Sequence, residues 1–179
     1  ERAAAFAAMG MSIANQYPCG VICTSGTAAA NFHPAAIEAL HSANKLLIIT
    51  ADRPARLRKT GSNQTTNQVN IFPGIKTHDL SSEIEIKSLL STGPVHLNIQ
   101  FDEPLLSVEK NDWLAGVKIN PISFENHIEG KLELTTGVLV IGHDRAGYRV
   151  DQVLDFAKKL NWPVIAEDPL SFPQAIAHA

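Results

Sequence analysis

Residues 19–53 read CGVICTSGTAAANFHPAAIEALHSANKLLIITADR, and their pattern sets the expected architecture. Val21–Thr24 is a short apolar run that predicts a strand, and Ser25-Gly26-Thr27 predicts a tight turn into a helix that ends near Ala43. Lys45–Ala51 is rich in isoleucine and leucine, which predicts a fully buried strand of a parallel sheet. The order strand, turn, helix, strand is typical of α/β proteins with parallel sheets.

The flanking sequence continues this alternation. Glu1 to about Ala14 is alanine-rich and predicts a helix whose apolar stripe is formed by Phe6, Met9 and Ile13. The remaining predicted elements are short helices at Val69–Phe72 and Ile84–Leu90, strands at Val95–Ile99, Gly137–Gly142 and Pro163–Ala166, and a helix at Tyr148–Leu160.

The chain is expected to hold two domains joined by a linker. Residues 1–105 form the first domain, 106–136 mix Pro, Asn, Gly and charges without a sustained period, and 137–179 begin a new βαβ unit. The start lacks both an initiator Met and a signal-peptide pattern, and the end lacks a capping signal. Both ends are therefore expected to be cut from a longer protein.

Composition excludes several classes of partner. The net charge is −3, with 45% hydrophobic and 18% charged residues, so a basic surface for nucleic acid is not expected. The longest apolar stretches are far shorter than the roughly 20 residues that cross a bilayer. Cys19 and Cys23 have neither zinc nor redox spacing and predict small buried residues in a reducing cytoplasm. The seven histidines are scattered, so no metal site is predicted.

Two loops are predicted to face a ligand, because ligands of parallel sheets bind beyond the carboxyl ends of the strands. These loops are Thr24–Thr27 and Asp52–Gln64. A glycine turn that leads into a helix offers free backbone N–H groups to a polar or anionic ligand. The alternative is that Ser25 or Thr27 only caps the helix.

The second loop carries the more informative side chains. Arg53 directly follows the buried strand, where a guanidinium can hold a carboxylate in a bidentate clamp. The alternative for Arg53 is a structural pair with Asp52 or another nearby carboxylate. Arg56 and Arg58 are expected on a solvated loop face.

Two amide side chains follow in the same loop. Asn63 and Gln64 offer N–H donors to a polar substrate or to local backbone.

Three stretches carry a family resemblance: ERAAAFAAMG from Glu1, CTSGTAAANFHPA from Cys23 and TADRPARLRKTGSNQ from Thr50. Together they resemble the SEPHCHC synthases, thiamine-diphosphate enzymes of menaquinone biosynthesis. The resemblance covers Glu1 to about Leu105 well and the second domain more loosely. It implies an α/β fold, in which an incomplete parallel-sheet pyrimidine-binding domain is followed by the start of a Rossmann-like central domain.

The resemblance also implies roles for individual residues. Glu1 would hydrogen-bond the pyrimidine N1′ of thiamine diphosphate. The residues that would line the pyrimidine pocket are Ser25, Gly26 and Thr27. The residues that would hold the carboxylates of 2-oxoglutarate or isochorismate are Arg53, Asn63 and Gln64.

For the full-length protein, the resemblance implies a cytoplasmic transferase. It decarboxylates 2-oxoglutarate and adds the succinyl unit to isochorismate in a 1,4-addition. The diphosphate and Mg²⁺ would bind in a C-terminal domain that this chain lacks, within a homodimer or homotetramer, so the chain alone is expected to be inactive. The alternatives are another thiamine-diphosphate carboligase, of the acetolactate synthase type, and a non-catalytic α/β subunit-interface module.

Overall fold

The computed structural model describes residues 1–15, 17–82, 93–106, 112, 115–118, 130, 135–142, 150–170 and 172–178. Two compact units make up the chain, Glu1–Val108 and Glu109–Ala179. The predicted helix at Ile84–Leu90 and most of the predicted linker at 106–136 lie outside the described residues. The domain limits at 105 and 137 stay a prediction.

The first unit is a parallel sheet with helices and loops around it. Its strands lie in the order β1-β2-β4-β3, and every neighbouring pair is parallel. The elements are α1 (Arg2–Asn15), β1 (Cys19–Cys23), α2 (Thr27–Ala30), α3 (His33–His41), β2 (Leu46–Asp52), a 3₁₀ turn (Ala55–Leu57), β3 (Thr77–Leu80) and β4 (Val95–Gln100). The predicted α/β class with parallel strands is confirmed.

Small residues form the buried face of α1. Ala5, Ala8 and Ser12 are buried, whereas Phe6 is 41% exposed. The predicted stripe is therefore wrong at Phe6, because alanines let the helix backbone approach β1 and α3 closely and a phenylalanine ring has no room there. The same core cluster contains the larger residues Val21, Phe32, Leu46, Ile48, Phe72 and Ile75.

The helix predicted to run from the Ser25 turn to Ala43 is two helices. The structure breaks it at Asn31 and Phe32, between α2 and α3. Pro34 stands in the first turn of α3, where it has no N–H with which to continue the hydrogen-bond ladder of α2. The position of the proline explains the break.

Burial on the strands also differs from the prediction. Alternate residues of β2 are buried and the others are half-buried, so only one face of this strand is fully covered. Thr77–Leu80, which was not predicted as a strand, pairs with β4 as β3. Val69–Phe72, predicted as a short helix, forms turns and bends instead. Both errors arise because these segments take their shape from tertiary neighbours and not from local periodicity.

The second unit holds a smaller parallel sheet. Its elements are β5 (Leu139–Ile141), α4 (Val150–Leu160), β6 (Val164–Ala166) and β7 (Ala177–His178), with strand order β5-β6-β7. Val150, Val153 and Leu154 of α4 pack on a core that contains the buried Ala157 and Phe172. The predicted β5, α4 and β6 are confirmed, and β7 was not predicted. Among all described residues, no helix is long and apolar enough to span a membrane.

Candidate functional site

The carboxyl ends of β1 and β2 lie side by side. Cys23, the last residue of β1, pairs in register with Thr50, so the Thr24–Thr27 turn and the loop after β2 leave the sheet at the same edge. On the other side of β2, Asp52 lies opposite Gln100, the last residue of β4. Ligands of parallel sheets bind beyond this edge. The two loops predicted to face a ligand are therefore neighbours.

Glu1 lies at this edge as well. It directly precedes α1, and its carbonyl accepts a hydrogen bond from the Ala5 N–H at 3.0 Å. Burial raises the pKa of the Cys23 thiol to about 11, and the negative charge of the Glu1 carboxylate acts in the same direction. The Glu1 side chain itself is exposed. The fold thus brings an accessible carboxylate close enough to the last residue of β1 for its charge to act on the Cys23 thiol.

The turn after β1 depends on glycine. Gly26 has φ 79° and ψ −135°, a backbone conformation that favours glycine, and it immediately precedes α2. No side chain caps the helix at this position. The alternative that Ser25 or Thr27 merely caps the helix is therefore wrong. Ser25 and Gly26 are buried, whereas Thr27 is exposed.

Two glutamines of the loop after β2 contact this turn. Gln64 donates its side-chain N–H groups to the Ser25 carbonyl at 3.1 Å and to the Thr24 hydroxyl at 3.0 Å. Gln68 accepts a hydrogen bond from the Gly26 N–H at 2.7 Å. Of the backbone N–H groups that the turn was predicted to offer to a ligand, that of Gly26 is thus engaged within the protein. The predicted role of Gln64 in substrate binding stays a prediction, and its amide donors already have protein acceptors.

Gln68 is fully buried and joins three parts of the sheet edge. Besides the contact with Gly26, its side-chain Nε2 donates to Asn98 Oδ1 at 2.8 Å and to the Ala51 carbonyl at 3.0 Å. Asn98 lies on β4 and Ala51 on β2. One side chain therefore ties the turn after β1 to the two central strands.

An ion-pair network lies next to Asn98. Arg58 donates to both oxygens of Asp79, at 2.7 and 2.9 Å, and its Nε lies 2.9 Å from Asp52 Oδ2 without forming a hydrogen bond. Asn98 donates to Asp52 at 2.8 Å and to Asp79 at 2.9 Å. The hydrogen bond from Arg58 lowers the pKa of Asp79.

The prediction that Arg58 belongs to a solvated loop face is therefore wrong. Its side chain is only 14% exposed, whereas that of Arg56 is 63% exposed. The reason is β3, which brings Asp79 up to the loop. A cation between two carboxylates is held in place by charge as well as by hydrogen bonds.

Arg53 and Asn63 line one pocket of about 410 Å³. The other lining residues are Pro54, Arg56, Leu57, Ser62, Phe101, Asp102, Glu103 and Leu105. Arg56 is held by Asp102 at 2.6 and 2.8 Å. No ion pair engages the guanidinium of Arg53 among the described residues. The structure thus brings two of the predicted substrate residues, Arg53 and Asn63, together at one pocket. The positive charge of Arg53 is not neutralised there by an ion pair with a described residue.

The predicted alternative for Arg53 was a structural pair with Asp52. Only the backbone N–H of Arg53 contacts that carboxylate, donating to Asp52 Oδ1 at 2.7 Å. The ion pair of Asp52 is made with Arg58 instead. The guanidinium of Arg53 is therefore not paired with Asp52.

His96 is a buried polar residue that sequence reasoning did not single out. Its Nε2 lies 2.8 Å from the Thr50 hydroxyl and its Nδ1 lies 3.0 Å from the Thr77 hydroxyl. Burial lowers the pKa of His96 to about 4, so the ring is neutral at pH 7. The rings of His96 and Phe72 pack in a T-shaped arrangement at a centroid distance of 4.8 Å.

A signal for the polar network was present in β4. The strand reads VHLNIQ, in which His96, Asn98 and Gln100 recur with period two and therefore share one face. An unusual polar face on a central strand indicates a hydrogen-bonded network beneath a site. No comparable signal marked Gln68, which stands in a run of polar loop residues. No group of three or more potential metal ligands occurs in the part of the chain that the structure describes.

Comparison with known proteins shows which proteins the chain is similar to. Residues 1–71 match the family described as thiamine pyrophosphate enzyme, N-terminal TPP binding domain. A 2-succinyl-5-enolpyruvyl-6-hydroxy-3-cyclohexene-1-carboxylate (SEPHCHC) synthase from Nocardioides sp. is 43% identical over 175 residues, which cover 93% of this chain and 30% of that protein. By sequence, the chain is a relative of the SEPHCHC synthases. The predicted resemblance is confirmed.

Further comparisons agree with this result. A SEPHCHC synthase from Lysinibacillus sphaericus is 34% identical over 202 residues, which cover 93% of this chain and 34% of that protein. The chain therefore spans about a third of the length of these SEPHCHC synthases. Among solved structures, a thiamine diphosphate-dependent 4-hydroxybenzoylformate decarboxylase from Rhodococcus jostii RHA1 superposes with a TM-score of 0.64 at 19% identity, covering 92% of this chain and 35% of that one. At this identity the likeness concerns the fold, and the predicted thiamine-diphosphate enzyme fold is confirmed.

Proposed function

We propose that this chain is part of a SEPHCHC synthase, a transferase that decarboxylates 2-oxoglutarate and adds the succinyl unit to isochorismate in a 1,4-addition. The observation that carries the proposal is the position of Glu1, an exposed carboxylate beside Cys23 at the end of β1. The similar SEPHCHC synthases support it by their sequence identity, and the pocket supports it because the Arg53 guanidinium that lines it has no ion pair among the described residues.

The residues at the sheet edge fit an aminopyrimidine ring. Glu1 is accessible, and a carboxyl group can share a proton with a ring nitrogen, which fixes both the orientation and the protonation of the ring. Ser25, Gly26 and Thr27 are proposed to border the same ring, because their turn directly follows the strand that Glu1 approaches. When bound, thiamine diphosphate supplies the carbon centre at which the substrate is decarboxylated. One well-placed acid or base contributes about two to four powers of ten in rate.

The substrate side is assigned to the loop after β2. Both proposed substrates carry carboxylates, and a guanidinium binds a carboxylate through two parallel hydrogen bonds. Arg53 has the required charge and lines the pocket, and Asn63 faces the same pocket with amide donors. The Gln64 N–H groups already donate to Thr24 and Ser25, so Gln64 is proposed to accept a hydrogen bond from a substrate hydroxyl through its side-chain oxygen and not to hold a carboxylate.

The remaining parts of the reaction are assigned outside this chain. Mg²⁺ and the diphosphate group are expected to bind a further domain of a protein as long as the relatives, and a second subunit of a homodimer or homotetramer is expected to complete the site. The chain alone is then inactive. Menaquinone biosynthesis in the cytoplasm is the expected context.

The decisive experiment uses a full-length protein that carries this sequence. We expect Glu1→Gln to lower kcat/KM with 2-oxoglutarate and isochorismate by about 10² to 10⁴, because the amide cannot exchange a proton with the ring. Glu38→Gln is the matched control, since Glu38 is an exposed glutamate on α3. Full activity of the Glu1 variant would remove the proposal.

The same assay separates the alternatives. A parent protein that consumes pyruvate in place of 2-oxoglutarate would be a carboligase of the acetolactate synthase type. A folded, oligomeric parent that turns over neither substrate with cofactor present would be a non-catalytic interface module.

A further inference from the structure

Both polar groups of the Ser25–Gly26 peptide, its carbonyl and its N–H, form hydrogen bonds with side chains of the protein. The carbonyl of Ser25 accepts from Gln64 Nε2 at 3.1 Å, and the N–H of Gly26 donates to Gln68 Oε1 at 2.7 Å. A peptide group held at both its oxygen and its nitrogen cannot rotate without breaking one of the two hydrogen bonds. The two glutamines therefore determine the orientation of this peptide.

Close packing between Gly26 and Gln64 also restricts this peptide. A Cβ atom at Gly26 would lie 3.1 Å from both the Cγ and the carbonyl oxygen of Gln64, so a side chain at this position would force one of the two residues to shift. Gln64 has φ 58°, a left-handed conformation that is uncommon for a residue other than glycine. Such backbone conformations persist where the surrounding contacts hold them. Here the turn provides those contacts.

Gln68 is itself firmly anchored. Its side chain is 0% exposed, and its Nε2 donates to Asn98 Oδ1 and to the Ala51 carbonyl. Its side-chain oxygen is thereby aimed at the Gly26 N–H. Any movement of Gly26 relative to the central strands would leave buried polar groups without partners, which is unfavourable.

We propose that Gln64 and Gln68 are positioning residues that clamp the Ser25–Gly26 peptide and so hold the turn against which the cofactor ring binds. The clamp also couples this turn to the pocket, because Asn63 precedes Gln64 in the chain and lines the pocket with Arg53. This inference rests on the proposed function for the identity of the ligand. The clamp itself rests on the contacts alone.

The test compares three variants of the full-length protein. Gln68→Met removes the hydrogen-bond acceptor of the Gly26 N–H and leaves a side chain of similar volume. Gln64→Ala removes the grip on the Ser25 carbonyl at an exposed position, which disturbs the core least. Ser12→Ala is the control, because Ser12 is also buried, at 4% exposed against 0% for Gln68, and donates to the Lys45 carbonyl at 3.1 Å, just before the amino end of β2.

Cofactor affinity is measured by calorimetric titration of thiamine diphosphate with Mg²⁺ and without substrate. We expect both glutamine variants to raise the Kd about tenfold, the effect of one lost hydrogen bond, and to speed exchange of the Gly26 amide hydrogen. Ser12→Ala should lower the thermal unfolding temperature and leave the Kd unchanged. If Gln68→Met does not fold, Gln64→Ala decides the outcome.

The inference is overturned if folded glutamine variants keep the parent Kd within twofold, or change it no more than the Ser12 variant does. Failure of the proposed function looks different. In that case the parent itself does not bind thiamine diphosphate, while exchange at the Gly26 amide still reports whether the clamp exists.

Discussion

His96 makes the stability of the first unit depend on pH. The ring is fully buried between the hydroxyls of Thr50 and Thr77, and burial lowers its pKa from 6.5 to about 4. Between these two pH values the unfolded chain binds a proton that the folded chain does not bind. The contribution of the buried neutral His96 to the free energy of unfolding is therefore fully present above pH 6.5 and is lost as the pH falls towards 4. The loss between pH 7 and pH 5 is about 2 kcal/mol.

We expect His96→Gln to remove most of this pH dependence. Hydrogen exchange of amides in β2 and β4 at pH 7 and pH 5, corrected for intrinsic rates, measures the opening free energy of the sheet directly. Tryptophan fluorescence would report on the other unit, because Trp113 and Trp162 both lie within Glu109–Ala179.

His78→Gln is the matched control for this experiment. Burial also lowers the pKa of His78, but this residue of β3 is only half-buried, so its variant should flatten the pH dependence less. Asp79 does not interfere, because its pKa is lowered from 3.8 and it titrates below this window. An equal loss of stability in the parent and in His96→Gln would refute the reasoning.

Three further predictions follow from the site. Arg53→Ala should raise the KM for 2-oxoglutarate or isochorismate about tenfold in steady-state kinetics, and an unchanged KM would exclude a role in substrate binding. Iodoacetamide should alkylate Cys23 slowly at pH 8, as followed by mass spectrometry, because the pKa of its thiol is about 11. Glu1→Gln should accelerate the alkylation, because it removes the negative charge that helps to raise this pKa. Equal rates would mean that Glu1 lies elsewhere. Arg58→Ala should cost about 3 kcal/mol in urea unfolding, because it leaves the buried carboxylate of Asp52 without its cation, and a loss under about 1 kcal/mol would contradict the network.

Local patterns predicted the elements that carry their own signal. β1, β2 and β4 are bounded by turn residues and rich in apolar side chains, and α4 has an apolar stripe with the helical period. β3 has the sequence THDL, which has no apolar alternation. It is a strand because β4 supplies its hydrogen-bond partners. That information is absent from a short sequence window.

The candidate site was predictable in part for the same reason. Arg53 and Asn63 follow a buried strand closely, so the rule for parallel sheets placed them at the ligand edge, where the pocket lies. The rule could not predict that Arg58 binds Asp79 and is shielded from solvent, whereas Arg53 has no ion pair among the described residues. Which arginine is available depends on a carboxylate that arrives from another strand.

The order of apolar runs and glycine turns along the chain was sufficient to predict the parallel α/β architecture and the edge at which a ligand is expected, because both follow from the alternation of strands and helices. Tertiary structure alone decided which polar groups meet. The Gly26–Gln68 hydrogen bond joins residues 42 positions apart, and the Thr50–Asn98 hydrogen bond joins residues 48 positions apart. Such pairs form only once the strands are side by side, since burial then obliges each donor to find an acceptor.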